Sequence, residues 1–420
     1  TTLDEEKGEI VYRWPQVLPG GKAVLFTVLA RSVGEPYIEV QSLETGERKT
    51  LQQAGFYARY LPTGHLAYVR EGTLFAAPFD LGRLEVTGPT AHIVEDENTS
   101  QGAESAQFDL SQTGTLVYLT GAAGGESTLV WVDREGKREP LLETPHNYSW
   151  PELSPDGRRL AVQIGGSNID VWVHELSRNV LSRLTFAEGY DGAPVWTPDG
   201  ERIAFRSSRD GGAANIYWKP ADGSGEAERL TTSDNLHSPS SWSPDGKMMA
   251  FFELNPETGW DIWTLRLEGD RKPEPFLRTR FAELGLTFSP DGRWITYQSN
   301  ESGRTEVYVR PFPGPGGKCQ VSAGASRAPF QRWSHDGREL FYLNGNKMMV
   351  VPVRAGESFS AGTPQVLFEG SFGFGYDVTA DGQRFVMVQP GEQTAATTQL
   401  NFVFNWFDEV RRRVASAGQN

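Results

Sequence analysis

One cysteine, Cys319, is all that the 420 residues contain. That excludes an intrachain disulfide, a thiolate metal cluster and a Cys-x-x-Cys redox pair, so the fold must stand on packing alone. Positive charge is also scarce, with 40 Lys and Arg against 54 Asp and Glu, a net charge of -14. This balance opposes attraction to phosphate backbones and anionic lipid, and nucleic acid is not expected as a partner. No run of about 18 apolar residues is present to span a bilayer. The opening TTLDEEKGEI is polar and acidic, without the pattern of a secretory signal. Six histidines are scattered along the chain, and no two have the three- or four-residue spacing of a zinc pair.

Motifs of catalysis are missing as well. There is no Gly-x-Ser-x-Gly elbow, no His-Glu-x-x-His and no phosphate loop. The nearest string to the last, Gly314-Pro-Gly-Gly-Lys-Cys319, contains proline, lacks the hydroxyl residue and reads as a linker. No catalytic residue, metal or cofactor is therefore expected. What the chain does have is Gly and Pro, 46 and 26 residues, about 17% together against roughly 12% in average chains and below the roughly 25% of low-complexity sequence. It should be folded and rich in turns.

Those turns repeat. Ser-Pro-Asp-Gly stands at Ser154–Gly157, Ser243–Gly246 and Ser289–Gly292, with close variants at Thr197–Gly200 and Ser334–Gly337. Weaker copies are Leu18–Gly21, Leu61–Gly64, Ser111–Gly114 and Thr379–Gly382. The nine closing glycines are 43 to 50 residues apart. Alternating strands flank each turn, such as Arg202–Phe205 and Trp294–Tyr297, and a third strand follows at Asp170–Val173, Asn215–Trp218, Asp261–Thr264 and Glu306–Val309. A fourth is exemplified by Glu228–Thr231. Four strands at this period, with almost no helical periodicity, predict an all-β fold, a β-propeller of four-stranded antiparallel blades.

Nine blades are expected, or eight if repeat one or two does not form a separate blade, the 50-residue interval between Gly64 and Gly114 being the least regular part of the count, in a single domain over 1–414 with a flexible tail at 415–420. The ninth repeat supplies strands at Tyr376–Ala380, Arg384–Gln389 and Asn401–Trp406 and a short helix in Phe407–Val414, but no fourth strand. Thr1–Asp4 is expected to complete it and latch the ring. A monomer is expected.

The Ser-Pro-Asp-Gly-Arg hairpins followed by Asn-Ile-Tyr or Asp-Ile-Trp strands resemble the WD-like repeats of the TolB family, seen also in the propeller of prolyl-oligopeptidase-type enzymes. The likeness runs over nearly the whole chain. The opening Thr1–Asp4 with Tyr12–Gly21, and the closing Leu400–Val410, resemble the C-terminal propeller of bacterial transmembrane serine/threonine protein kinases. That resemblance implies a non-catalytic extracytoplasmic sensor or protein-interaction module, reporting a bound ligand to a kinase across the membrane. Two other readings stay open: a propeller lyase or hydrolase acting at the channel mouth, and a TolB-like periplasmic scaffold.

Most conspicuous residues have a structural use. Asp156, Asp199, Asp245, Asp291, Asp336 and Asp381 belong to turns, and Asp170, Asn215, Asp261 and Glu306 cap third strands more readily than they bind calcium. Trp14, Trp150, Trp196, Trp242, Phe288 and Trp333 are expected to wedge between sheets, Arg411–Arg413 to suit a helix C-terminus, and the Asp-Gly hairpin face to be ordinary solvated surface. What does not repeat are the loops before the first strands. They carry Tyr12, Arg13, Tyr57, Arg59, Glu104, Gln107, His146, Tyr148, Tyr190, Asp191, His237, Glu283, Arg327, Phe374 and Tyr376. This mixture of aromatic, cationic and acidic groups is expected at the channel mouth, binding a protein or small molecule whose identity the sequence does not reveal.

Overall fold

The computed structural model describes all residues except 1–2, 5–8, 31–32, 71–72, 95–98, 101–104, 107, 119–125, 167, 323–329, 392–400 and 418–420. Six of the nine repeated turns are locked by their own hydroxyl and aspartate. In Ser154–Gly157 the Ser154 hydroxyl donates to Asp156 (2.6 Å) and accepts from the Arg159 amide (2.9 Å), while Asp156 accepts from the Arg158 amide (3.0 Å). Gly157 then takes φ +66°, which an L side chain rarely adopts. Ser243, Ser289, Ser334, Thr197 and Thr379 repeat the hydroxyl–Asp bond. The hydroxyl bond is the main reason that Asp156, Asp245, Asp336 and Asp381 ionise below the usual carboxylate range.

The chain forms two compact units, one of residues 1–125 with 392–420 and one of 126–391. The second contains six blade-like sheets. Sheet V runs from the end of Arg138–Leu153 through Arg159–Gly165 and Asp170–Glu175 to Val180–Arg183. Sheet VI comprises Asp191–Trp196, Arg202–Ser207, Asn215–Pro220 and Glu228–Arg229. Sheet VII comprises Leu236–Trp242, Met248–Asn255, Gly259–Arg266 and Pro273–Leu277. Sheet VIII comprises Glu283–Phe288, Trp294–Ser299, Glu306–Pro311 and Cys319–Gln320. Sheet IX is built on Arg332–Trp333, Glu339–Asn344 and Lys347–Ala355, edged by Phe359–Ala361 and Gln365–Glu369. Sheet IV joins Tyr376–Val378 and Arg384–Pro390 to Ser127–Asp133 and the start of Arg138–Leu153, which thus serves two sheets.

Apolar clusters fill the gaps between these sheets in a cycle. Leu160 and Val386 join IV to V, Val171 and Phe205 join V to VI, and Ile216 and Phe251 join VI to VII. Ile262 and Ile295 join VII to VIII, Val307 and Leu340 join VIII to IX, and Phe341 and Phe385 join IX back to IV. Trp196, Trp242, Phe288 and Trp333 sit in these wedges at 4–8% exposure, as expected. Three of the four polar residues that head third strands, Asp170, Asn215 and Glu306, also have a structural use. Asp170 and Asn215 accept from the hydroxyls of Thr185 (3.1 Å) and Thr231 (3.2 Å), and Glu306 from that of Ser322 (2.5 Å). Each hydroxyl in turn accepts a backbone amide of the third strand, tying the outer edge down.

The first unit has sheet I (Glu9–Val17, Ala23–Ala30, Val33–Ser42, Arg48–Gln52), sheet II (Phe56–Leu61, His65–Arg70, Thr73–Asp80, with Glu85–Val86 and Ala91–Val94) and sheet III (Phe108–Leu110, Leu116–Tyr118, Asn401–Val403). Helix α1, Trp406–Ala417, buries Trp406, Val410 and Val414, spaced four apart on one face, in the cluster that joins sheets II and III. Arg411 pairs with Asp408 (2.9 Å), and Arg412 with Glu409 (2.6 Å), so the arginine run is answered within the helix.

One expectation is corrected here. The ninth repeat does not build a sheet of its own latched by Thr1–Asp4. Its second strand pairs over seven positions with Ser127–Asp133, the third strand of the repeat that closes at Gly114. Its own third strand, Asn401–Val403, pairs instead with Leu116–Tyr118. The two repeats have exchanged third strands. A seven-residue partner offers more ladder than four residues at the start of the chain. Thr1 and Thr2 lie outside the described residues, and Leu3 and Asp4 belong to no strand.

Candidate functional site

The innermost strands share an irregularity that no single residue type announces. Register shifts interrupt them between Ser149 and Glu152, Gly192 and Val195, and Leu284 and Thr287. At these bulges, and at the matching points of sheets IX and IV, one residue has positive φ: Trp150 (52°), Ala193 (51°), Gly285 (62°), Phe330 (46°) and Gly375 (90°). Trp14 (56°) and Tyr57 (54°) repeat the feature in the first unit. For Trp and Phe this conformation costs roughly 1–2 kcal/mol, which the surrounding structure must offset.

In the second unit the bulges border a cavity of about 450 Å³, walled by Trp150, Phe252, Trp260, Phe330 and Phe374 with Arg206 among them. Trp150, Phe330 and Phe374 form an edge-to-face trio, with centroids 5.5, 5.0 and 4.5 Å apart. Phe374 remains 48% exposed. Trp150 is thus a wall of this cavity, not the inter-sheet wedge expected of it. A second cavity, of about 730 Å³, is lined by the repeated turns, including Pro155, Pro198, Pro244, Pro290 and His335. The hairpin face is therefore concave at its centre, while turn residues such as Pro155, Pro244, Pro290 and His335 stay exposed.

Both cavities are bordered by Glu152 and Arg332. Arg332 lies 3.7 Å from Glu152 and 3.4 Å from Asp377. Asp377 also accepts from the amides of Leu153 (2.8 Å) and Val378 (2.9 Å). The three side chains are enclosed by protein yet keep 13–21% exposure because they face the cavities. Burial pushes both carboxyls above their usual range, Arg332 opposes the shift at each, and the Asp377 charge adds to it at Glu152.

The sequence-selected residues divide between the two units. Tyr12, Arg13, Tyr57 and Arg59 belong to the first. Tyr12 donates to Glu9 (2.5 Å) beside Arg48, and Arg59 lies over the Tyr57 ring (4.2 Å), which meets Trp14 edge-on. In the second unit Phe374 alone of the set lines the aromatic cavity, and Tyr190 supports it from behind as the platform for Arg206 (4.0 Å). Asp191 is buried against Arg209 (2.9 Å), His237 against Glu253 (2.9 Å), and Glu283 accepts from Thr279 (2.7 Å). Tyr148 is buried and donates to Thr144 O (3.1 Å), its ring 5.4 Å from that of His146, and Tyr376 is fully buried. Glu104, Gln107 and Arg327 lie outside the described residues.

Glu152, Arg206, Ser238, Phe330, Arg332 and Asp377 escaped sequence reasoning. Placing Trp150 in the same repeat frame as Ala193, Gly285 and Gly375 could have exposed the bulge. Among the described residues no group of three or more His, Cys, Asp or Glu is placed to hold a metal ion, and no helix is long and apolar enough to cross a membrane.

A family model described as the TolB beta propeller domain matches residues 110–272. This chain carries a TolB-like β-propeller. An 86-residue stretch is 36% identical to the Tol-Pal system protein TolB of Alcanivorax borkumensis, covering 20% of each chain. Another, of 84 residues, is 33% identical to the uncharacterized peptidase YuxL of Bacillus subtilis, covering 18% of this chain and 13% of that one. The matches thus span a fifth or less of these two relatives. In three dimensions the chain is similar to the structure of a putative TolB from Agrobacterium tumefaciens, with a TM-score of 0.51 at 20% identity, over 63% of this chain and 98% of that one. The TolB-like fold is all-β, as the repeats predict.

Proposed function

We propose that the chain is a non-catalytic, extracytoplasmic protein-interaction module of TolB type, whose second unit is a six-bladed ring that receives a partner segment at its aromatic mouth. The observation that carries this reading is the trio of Trp150, Phe330 and Phe374, two of them held at positive φ around an open cavity. Rigid aromatic side chains around a concave site are what interface anchors require. The similarity to the putative TolB structure over 63% of this chain supports the propeller fold on which this reading stands. The kinase resemblance rests on segments near both ends of the chain, outside residues 110–272, so the sensor reading gains nothing from the matches. The peptidase name belongs to a protein of which 13% is aligned.

The test is photo-crosslinking with p-benzoylphenylalanine at position 374, and at the more exposed Phe186 (67%) as control. A specific adduct should form from 374 in a cell-envelope extract. Unlabelled wild-type chain should compete for it, and a Phe374→Ser chain should not. Equal competition by Phe374→Ser removes the mouth from consideration.

A further inference from the structure

Almost every polar group around the aromatic mouth is used within the protein. Gln298 donates to Gln331 (3.0 Å), Gln331 donates to the Gly285 carbonyl, and Ser240 donates to the Leu286 carbonyl (2.7 Å). Arg332 is engaged by Glu152 and Asp377. Among the described residues of this lining, two buried groups are left over. Arg206 lies over the Tyr190 ring, its Nε is buried without an acceptor, and no described carboxylate pairs with it. Ser238 is 1% exposed, and its buried hydroxyl has no partner. The two come from neighbouring sheets VI and VII and line the same cavity.

Tyr190 is itself fixed, donating to Gln163 Oε1 (2.8 Å), which also accepts from the Ala193 amide (3.1 Å). Arg206 therefore rests on a rigid platform. A guanidinium with no counter-ion in a partly dry, aromatic-walled cavity is half of an ion pair, and its planar fork matches a carboxylate.

We infer that this mouth takes a carboxylate carried on an apolar or aromatic body, the carboxylate accepting from Arg206 and Ser238 and the body packing against Trp150, Phe330 and Phe374. A monoanion suits one guanidinium. A dianionic phosphate would meet the carboxyl of Glu152 on the same wall. The inference rests on the reading of the mouth as a binding site and gives that site its chemistry.

Isothermal titration of the full chain tests it with three acids, each beside a neutral partner. They are 3-phenylpropanoate against its amide, Ac-Ala-Ala-Phe against its C-terminal amide, and Ac-Ala-Glu-Phe-amide against Ac-Ala-Gln-Phe-amide. At least one acid should bind about tenfold or more tightly than its neutral partner, as a charge-assisted hydrogen bond requires. The best pair tells a free acid from a chain end and from an acidic side chain. Arg206→Gln, with an unchanged melt, should abolish the preference, and Arg206→Lys should keep part of it. Equal affinity for acid and neutral partner, or a preference that survives Arg206→Gln, overturns the carboxylate subsite while leaving an apolar mouth intact. Failure of every probe to bind overturns it too, and the competition at Phe374 then decides separately whether the mouth binds a partner.

Discussion

The guanidinium of Arg332 lies 3.4 Å from the carboxylate of Asp377 and, in the same lining, 3.7 Å from that of Glu152. One cation thus serves two enclosed acids from three different inner strands. Removing it leaves both without compensation. Arg332→Met should lower the unfolding free energy of the second unit by about 3–5 kcal/mol at pH 7, measured by urea denaturation. Adding Glu152→Gln should restore part of the loss at pH 9, above the value of about 8 to which burial raises Glu152, because fewer buried charges then remain. An unchanged midpoint in Arg332→Met would mean that the cluster does not hold the inner strands together.

The same carboxyls set a pH dependence of definite sign. Their reference values are 4.5 for Glu152 and 3.8 for Asp377, and burial raises both in the folded chain. The native state then binds more protons than the unfolded one. Their contribution is fully present below about pH 4 and is lost as pH rises through the folded values. The difference in melting temperature between wild type and Glu152→Gln should therefore shift against the wild type between pH 5 and pH 8. A pH-independent difference would remove Glu152 from the account.

Glu9, in the first unit, should behave in the opposite way. Burial alone would raise its pKa, but hydrogen bonds from Arg48, Tyr12 and the Asp4 amide, with the Arg48 charge, outweigh burial and hold it at about 2. Its reference value is 4.5, so the stability it contributes is present above that pH and lost as pH falls toward 2. Glu9→Gln should destabilise the first unit at pH 7 and should lose less between pH 5 and pH 3 than the wild type does. Thermal melts at three pH values read this directly.

The blades were legible because their signal is local and repeated: a proline, an aspartate and a left-handed glycine in adjacent positions, with two-residue alternation on each side. Thr197 and Ser334 kept the frame visible even where a residue was replaced. The strand exchange was not legible, since Ser127–Asp133 and Asn401–Val403 each look like a proper third strand of the repeat that precedes them, and only pairing distinguishes their partners. The site was hidden for a related reason. Loops that break the repeat drew attention to Asp191, His237 and Glu283, each of which is held by a neighbour inside the fold instead of lining the mouth. Arg206 and Arg332 sit inside or beside regular strands, where a sequence gives no hint that a cavity lies alongside.

Repetition also places one turn against the next. A Cβ at Gly292 would come within 3.3 Å of Pro244 Cδ in the preceding turn, whereas one at Gly157 would meet nothing within 4 Å. Both glycines have nearly the same positive φ, 71° and 66°. Gly157→Ala should thus cost only the backbone term, about 1 kcal/mol. Gly292→Ala should cost about 1 kcal/mol more, from pressing on Pro244. Equal losses by chemical denaturation would show that the turns pack independently.

Phe330 separates a bulge kept for binding from one kept for stability. At φ 46° it carries about 1–2 kcal/mol of backbone strain that glycine would relieve. Phe330→Gly also removes two edge-to-face contacts, with Trp150 and Phe374, worth about 0.5–1.5 kcal/mol each. These terms oppose each other, so the net loss should stay below about 2 kcal/mol once the smaller burial of this half-buried ring is included. Phe341→Ala, at a fully buried ring between sheets IX and IV, should cost about 3–5 kcal/mol. Phe330→Gly should nevertheless fail to compete for the adduct at position 374 as the wild-type chain does. A loss of stability equal to that of Phe341→Ala would instead make the aromatic trio part of the core, since strain retained for packing must be outweighed by packing.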